Sequence, residues 1–182
     1  MVYVLLADGF EEIEALAFVD ILRRAGIETQ TVSVQNGKTV TGAHGIMILP
    51  DLPLKKIDPE KMDAIVLPGG MPGAQHLKDS QEVAALLHSA HQQQKLIGAI
   101  CAAPMVLGGL GLLNGRQAVC FPGYESALAG ATICNDPVVE DGNIITSKGP
   151  GTTAAFASAF VRRFCDVATA EAIISSMQYE TR

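Results

Sequence analysis

The sequence predicts an α/β protein built on a parallel sheet with helices on both faces. Strand-like and helix-like segments alternate along the chain, the pattern of β-α-β units. The runs Val2–Ala7, Ala64–Leu67 and Leu96–Ile100 are apolar rather than alternating, as strands covered on both faces require. The chain has 182 residues and lacks internal repeats, low-complexity tracts and long linkers, so one domain spanning 1–182 is expected.

Val2–Ala7 is the first apolar run and predicts a buried strand. Phe10–Ala25 follows with helical periodicity, and Gly26 stands where a helix C-terminus favours glycine. Glu28–Val34 predicts a second strand, and Lys38–Leu49 a pair of short strands broken at Gly42 and Gly45. Ala64–Leu67 returns as a buried strand before Pro68-Gly69-Gly70 turns the chain. A helix over Gln81–Gln93 has Asp79 or Ser80 as its cap. Leu96–Ile100 and a helix over Ala102–Leu110 come next. Short strands near Ala118–Cys120, Thr132–Cys134 and Ile144–Thr146 precede two closing helices, about Thr153–Phe164 and Ala168–Met177.

Hydrophobic residues make up 48% and charged residues 18% of the chain, a globular rather than a disordered balance. A net charge of −6 without any basic run argues against nucleic acid as a partner. No apolar stretch reaches membrane-spanning length and no charged leader precedes the first strand, so a cytoplasmic protein is expected. The four cysteines, Cys101, Cys120, Cys134 and Cys165, are widely spaced and form no C-x-x-C pair or zinc-like cluster. Disulfides and a metal site are therefore not expected. Cys120, Cys134 and Cys165 lie in apolar stretches, as ordinary core or surface thiols do.

Cys101 is different because it sits between a buried strand and a helix. Ala99 and Ala103 flank it at two residues' distance, leaving room for a sharp turn that exposes one side chain. The dipole and free N–H groups of the following helix favour the thiolate, the reactive form. In parallel sheets ligands bind at the carboxyl ends of the strands. Asp8-Gly9, Gly69-Gly70 and Cys101 would all meet there.

In the first helix, Asp8 followed by Glu11 resembles a capping box, and Glu11 and Glu12 suit the positive end of the dipole. Glu14 instead shares a stripe with Phe18, Ile21 and Ala25. It either opens the buried face, where it needs a partner, or lies at that face's exposed edge. Gly69-Gly70 allows a backbone N–H to approach a ligand closely and, with the N–H of Ala102, to form an oxyanion hole. Gly149-Pro150-Gly151-Thr152 is a second turn opening a helix. His76, His88 and His91 all precede the elbow, with His88 and His91 read as solvated, and His44 lies in the hairpin without an evident role.

Four segments, in order, resemble the ThiJ/PfpI superfamily, in the branch of the parkinsonism-associated protein deglycase and its bacterial relatives. They are Ala7 through Glu14, Val66 through Gly70 with Gly73-Ala74-Gln75, Ala99 through Pro104, and Thr146 through Thr152. The resemblance implies a flavodoxin-like three-layer α/β sandwich, similar to class I glutamine amidotransferases, that is usually a homodimer. It implies Cys101 as nucleophile, Glu14 as the acid bonded to its thiolate, and Gly70 and Ala102 as oxyanion donors, with no cofactor. One departure is Phe121, where many relatives carry a histidine. Without it a Cys–His peptidase lacks its base.

The resemblance implies an enzyme of stress defence acting on a small reactive carbonyl, an α-oxoaldehyde or its protein adduct, in the glyoxalase or deglycase manner. The competing class is a redox-responsive or chaperone-like protective protein whose Cys101 is oxidised to a sulfinate.

Overall fold

The computed structural model describes residues 1–35 and 37–179. A seven-stranded sheet forms its centre. The strands in chain order are β1 (Val2–Leu6), β2 (Thr29–Ser33), β3 (Val40–Thr41), β4 (Met47–Ile48), β5 (Leu52–Pro53), β6 (Ala64–Leu67), β7 (Leu96–Ile100), β8 (Gln117–Ala118), β9 (Thr132–Ile133), β10 (Val138–Asp141) and β11 (Ile144–Ser147). The helices are α1 (Phe18–Arg24), α2 (Gly73–Asp79), α3 (Gln81–Gln92), α4 (Pro104–Gly109), α5 (Thr153–Phe164) and α6 (Val167–Ser176).

The central sheet runs β10-β11-β7-β6-β1-β2-β5. All neighbours pair in parallel except β10 with β11. Every residue of β1, β6, β7 and β11 is buried, the result expected of strands covered on both sides. Alternate residues of β1 serve two cores. Tyr3 and Leu5 join Leu77, Leu87 and Leu107, whereas Val2, Val4 and Leu6 join Phe18, Ile21, Phe156 and Phe160. The result is the flavodoxin-like α/β sandwich. Chain order reverses between β1 and β6, where such sheets open a crevice.

Phe18, Phe156 and Phe160 pack with ring centroids 5.0–5.2 Å apart. Gly98, in β7, lets them approach the sheet. A Cβ there would stand 2.6 Å from Phe160 Cζ and 2.9 Å from Phe156 Cζ. Gly98→Ala is thus expected to cost about 1–3 kcal/mol by overpacking, read from urea unfolding midpoints. An unchanged midpoint would show that the rings move aside freely.

Several sequence expectations change. The first helix does not begin at Phe10: a π-helical turn over Ile13–Ala17 leads into α1, and Phe10 instead bridges to Gly42. Asp8 caps nothing; its Oδ1 accepts the Thr41 N–H at 2.8 Å. Residues 73–79 form α2, which the surrounding Gly and Pro disguise as turn. β10 also goes unread, because an edge strand ending in Glu140-Asp141 carries no apolar run. The helix after the elbow begins at Pro104, with Ala102 and Ala103 still in the turn. β8 and β9 pair with each other, outside the central sheet. The hairpin of β3 and β4 and the Ser80 cap of α3, whose Oγ accepts the Val83 N–H at 3.2 Å, follow the sequence reading.

Candidate active site

Cys101 leaves β7 with φ +63°, a left-handed conformation rare for a residue with a side chain. Surrounding bonds hold it there. Its N–H donates to Ser147 O at 2.9 Å, and its carbonyl accepts the Phe121 N–H at 2.8 Å. Such strain at a strand-to-helix hinge is what a nucleophile elbow requires.

Glu14 lies in the π-helical turn and is 1% exposed, which places it on the buried face. Its Oε2 accepts the Gly69 N–H at 2.7 Å. Its Oε1 is buried without a conventional partner, and the Cys101 sulfur lies beside the carboxyl group. Gly69 must be glycine: a Cβ would stand 2.6 Å from Cys101 Cβ and 2.8 Å from Glu14 Oε2. The two glycines divide their work. The Gly69 N–H is committed to Glu14, while the N–H groups of Gly70 and Ala102 face the sulfur.

Burial raises the Glu14 carboxyl to about 7, against the lowering effect of the Gly69 N–H. Burial and the adjacent Glu14 charge push the Cys101 thiol to about 12, opposed by the N–H groups of Gly70 and Ala102. Two anions in this space repel, so the groups titrate as a pair. The pair gives up one proton near neutrality and resists losing the second.

The loop before Glu14 is locked from outside. Glu12, read as a first-turn residue suited to the helix dipole, is buried. Its Oε1 accepts the His44 N–H at 2.8 Å and its Oε2 contacts His44 Nδ1 at 2.8 Å. Burial pushes Glu12 up, but these contacts outweigh it and hold the carboxyl below its usual range; they raise His44 in turn. Glu11 joins this group within 4.8 Å, but the Glu12 oxygens are already engaged by the β3–β4 loop, so the trio reads as an ion-paired fastening. The Glu11 N–H donates to Gly69 O at 3.0 Å, tying the loop to the glycine turn. His44 therefore has a partner that its sequence position did not disclose.

The remaining candidates scatter. His76 Nδ1 contacts Asp8 O at 3.1 Å, His88 is exposed, and His91 is half-buried rather than solvated. Cys120 is buried, Cys134 half-buried and Cys165 exposed. A cleft of about 670 Å³ lined by Ser33, Lys38, Lys55 and Glu82 does not include Cys101. Among the described residues, no helix is long and apolar enough to cross a membrane.

Together, the sheet and elbow define an α/β protein that presents a cysteine at the carboxyl end of a parallel strand, paired with a buried acid. Residues 1–163 match the model of the DJ-1/PfpI family. The chain belongs to that family. It is 40% identical over 156 residues to the protein dj-1beta of Drosophila melanogaster, covering 85% of this chain and 83% of that one. It is 32% identical over 163 residues to a deglycase of Thermococcus kodakarensis, covering 88% and 97%. Among solved structures, a DJ-1 superfamily protein of Salmonella typhimurium superposes with a TM-score of 0.94 at 37% identity, over 99% of this chain and 98% of that one. An oxidized DJ-1 of Toxoplasma gondii gives 0.94 at 35% identity, over 99% and 98%.

Ser147 and Phe121, which fix the elbow through backbone bonds, are the positioning residues that sequence reasoning did not single out for that part. Ser147 was signalled only as part of the Thr146–Thr152 segment, and Phe121 only as the departure from a histidine.

Proposed function

We propose that this protein is a cofactor-free enzyme that converts small 2-oxoaldehydes, free or as protein adducts, to hydroxy acids. The observation that carries the reading is Glu14, a buried acid raised to about 7 and placed beside the Cys101 sulfur. A group poised near neutrality can both give and take a proton.

In the proposed cycle the Cys101 thiol passes its proton to the Glu14 carboxylate as the sulfur adds to the aldehyde carbon. The C=O π pair moves to oxygen, where the N–H groups of Gly70 and Ala102 receive the charge. Glu14 gives its proton to that oxygen. Its carboxylate then removes the C1 hydrogen as a proton, forming an enediolate, and returns that proton to C2 while the C1 hydroxyl proton passes to the C2 oxygen. The product is the thioester of a 2-hydroxy acid. Water cleaves it, releasing the acid and regenerating the thiol. The net change adds one water and needs no external oxidant.

The test is NMR of lactate formed from methylglyoxal. Many equivalents per chain are expected, and none from Cys101→Ser. One equivalent or fewer from the wild type would overturn the enzyme reading. The homodimer implied by the family is part of the same proposal, and a monomeric mass by light scattering would remove it.

One observation favours a second reading. Glu14 Oε1 has no conventional partner, so in its protonated form it is available to donate to a sulfinate at Cys101. Two equivalents of peroxide would add two oxygens to the sulfur and leave two waters. Mild peroxide should then oxidise Cys101 ahead of the exposed Cys165; equal oxidation of both would sink this role.

A further inference from the structure

Phe121 is 43% exposed, yet it is held on two sides. Its N–H donates to Cys101 O, and the Tyr124 N–H donates to Phe121 O at 3.1 Å, closing a turn beneath it. The ring lies over Gly149, where an added Cβ would stand 3.1 Å from ring Cδ2 and 3.5 Å from Cε2. A glycine there lets the ring rest on bare backbone. Met71, 44% exposed, follows Gly70. A single exposed phenylalanine ordinarily signifies nothing. This one is fastened to the carbonyl of the strained cysteine itself.

The chemistry around the sulfur narrows the substrate. Gly69, Gly70 and Ala102 offer backbone alone, or a methyl group in Ala102, and the ionisable neighbour, Glu14, is acidic. Lys148, next to Gly149, turns its ammonium to Asn135 O at 3.3 Å. An anionic substituent would meet no cation in this set, whereas a flat apolar one would meet a ring.

We propose that Phe121 is a specificity-determining residue whose ring forms the apolar wall beside Cys101, so that the site prefers 2-oxoaldehydes bearing an aromatic substituent. The substrate class rests on the aldehyde-processing reading above; the recognition surface does not. Offset or edge contacts between aromatic rings favour such a substituent over a methyl group by about fivefold.

The test compares alkylation of Cys101 by N-phenyl iodoacetamide and by iodoacetamide. In both, the sulfur displaces iodide and forms a C–S bond. The rate ratio, read by mass spectrometry on the Cys101 peptide, is divided by the same ratio for glutathione. The wild type is expected to exceed glutathione by about fivefold, Phe121→Tyr to keep the preference, and Phe121→Ala to fall to parity. Parity in the wild type, as when a second copy covers the ring, would overturn the proposal. So would a preference that survives in Phe121→Ala.

The companion measurement is kcat/KM for mandelate from phenylglyoxal against lactate from methylglyoxal, with the same ordering expected. Failure of both aldehydes to turn over, with the alkylation preference intact, would remove the enzyme reading and leave Phe121 as a recognition surface.

Discussion

Replacing Glu14 by glutamine is expected to stop turnover and, at pH 8, to make the protein more stable. The amide keeps the shape of the carboxyl and can still accept the Gly69 N–H, but it cannot shuttle a proton. A loss of about 10³-fold or more in lactate formation follows from removing a general acid–base. Alkylation of Cys101 should continue, because the thiol and its N–H donors remain. The stability effect has a definite sign. Burial raises the folded-state carboxyl from 4.5 to about 7, so the unfolded chain ionises first. The stability contributed by the neutral group is complete below pH 4.5 and is lost as pH rises through about 7. The penalty above that range is at most about 3 kcal/mol, since the charged form also strengthens the Gly69 bond. Urea unfolding of wild type and Glu14→Gln should therefore agree at pH 4 and diverge by pH 8. A wild type as stable as the variant at pH 8 would show that Glu14 pays no burial cost.

The second large effect is expected at Gly70. Its φ is +83°, and an added Cβ would stand 2.4 Å from Glu11 N, 2.5 Å from Gly9 O and 2.7 Å from Phe10 C. These are backbone atoms, which cannot swing aside as a side chain can. Gly70→Ala combines left-handed strain with overpacking, a loss of about 3–5 kcal/mol. It also displaces an N–H that faces the sulfur, so product formation should fall by about 10²-fold or more. Gly26→Ala is the control. Its φ is +72°, but nothing lies within 4 Å of the added atom, so only the conformational cost of about 1–2 kcal/mol is expected. Equal losses in the two variants would mean that the loops around Gly70 yield.

The parts of the fold that sequence disclosed are those where one property decides the structure. The apolar runs of β1, β6 and β7 have only one place to go, and Cys101 between a strand and small residues has one backbone it suits. Glu14 was ambiguous because periodicity places a residue on a stripe without saying how far the core extends over it. The π-helical turn at Ile13–Ala17 settles that question, and it depends on packing rather than on local propensity. α2 was hidden because Pro72 and Gly73 are turn residues in isolation and a helix start here. Glu12 and His44 meet only when the β3–β4 loop folds over the first helix, an approach across 32 positions of sequence. The roles of Cys101, Glu14, Gly70 and Ala102 remain proposals, to be decided by the variants above.

The two margins of the central sheet restrict how copies of this chain can associate. At one margin β5 spans only Leu52–Pro53, and proline has no N–H with which to recruit another strand. At the other, β10 ends in Glu140 and Asp141, whose carboxylates engage Arg162 and Arg116. A second molecule that tried to extend the sheet would meet a strand too short to grip at one end and committed charges at the other. Edge-to-edge stacking into fibres is thereby discouraged. The helix and hairpin faces are left as the surfaces open to association, with the strand ladder closed to its own kind.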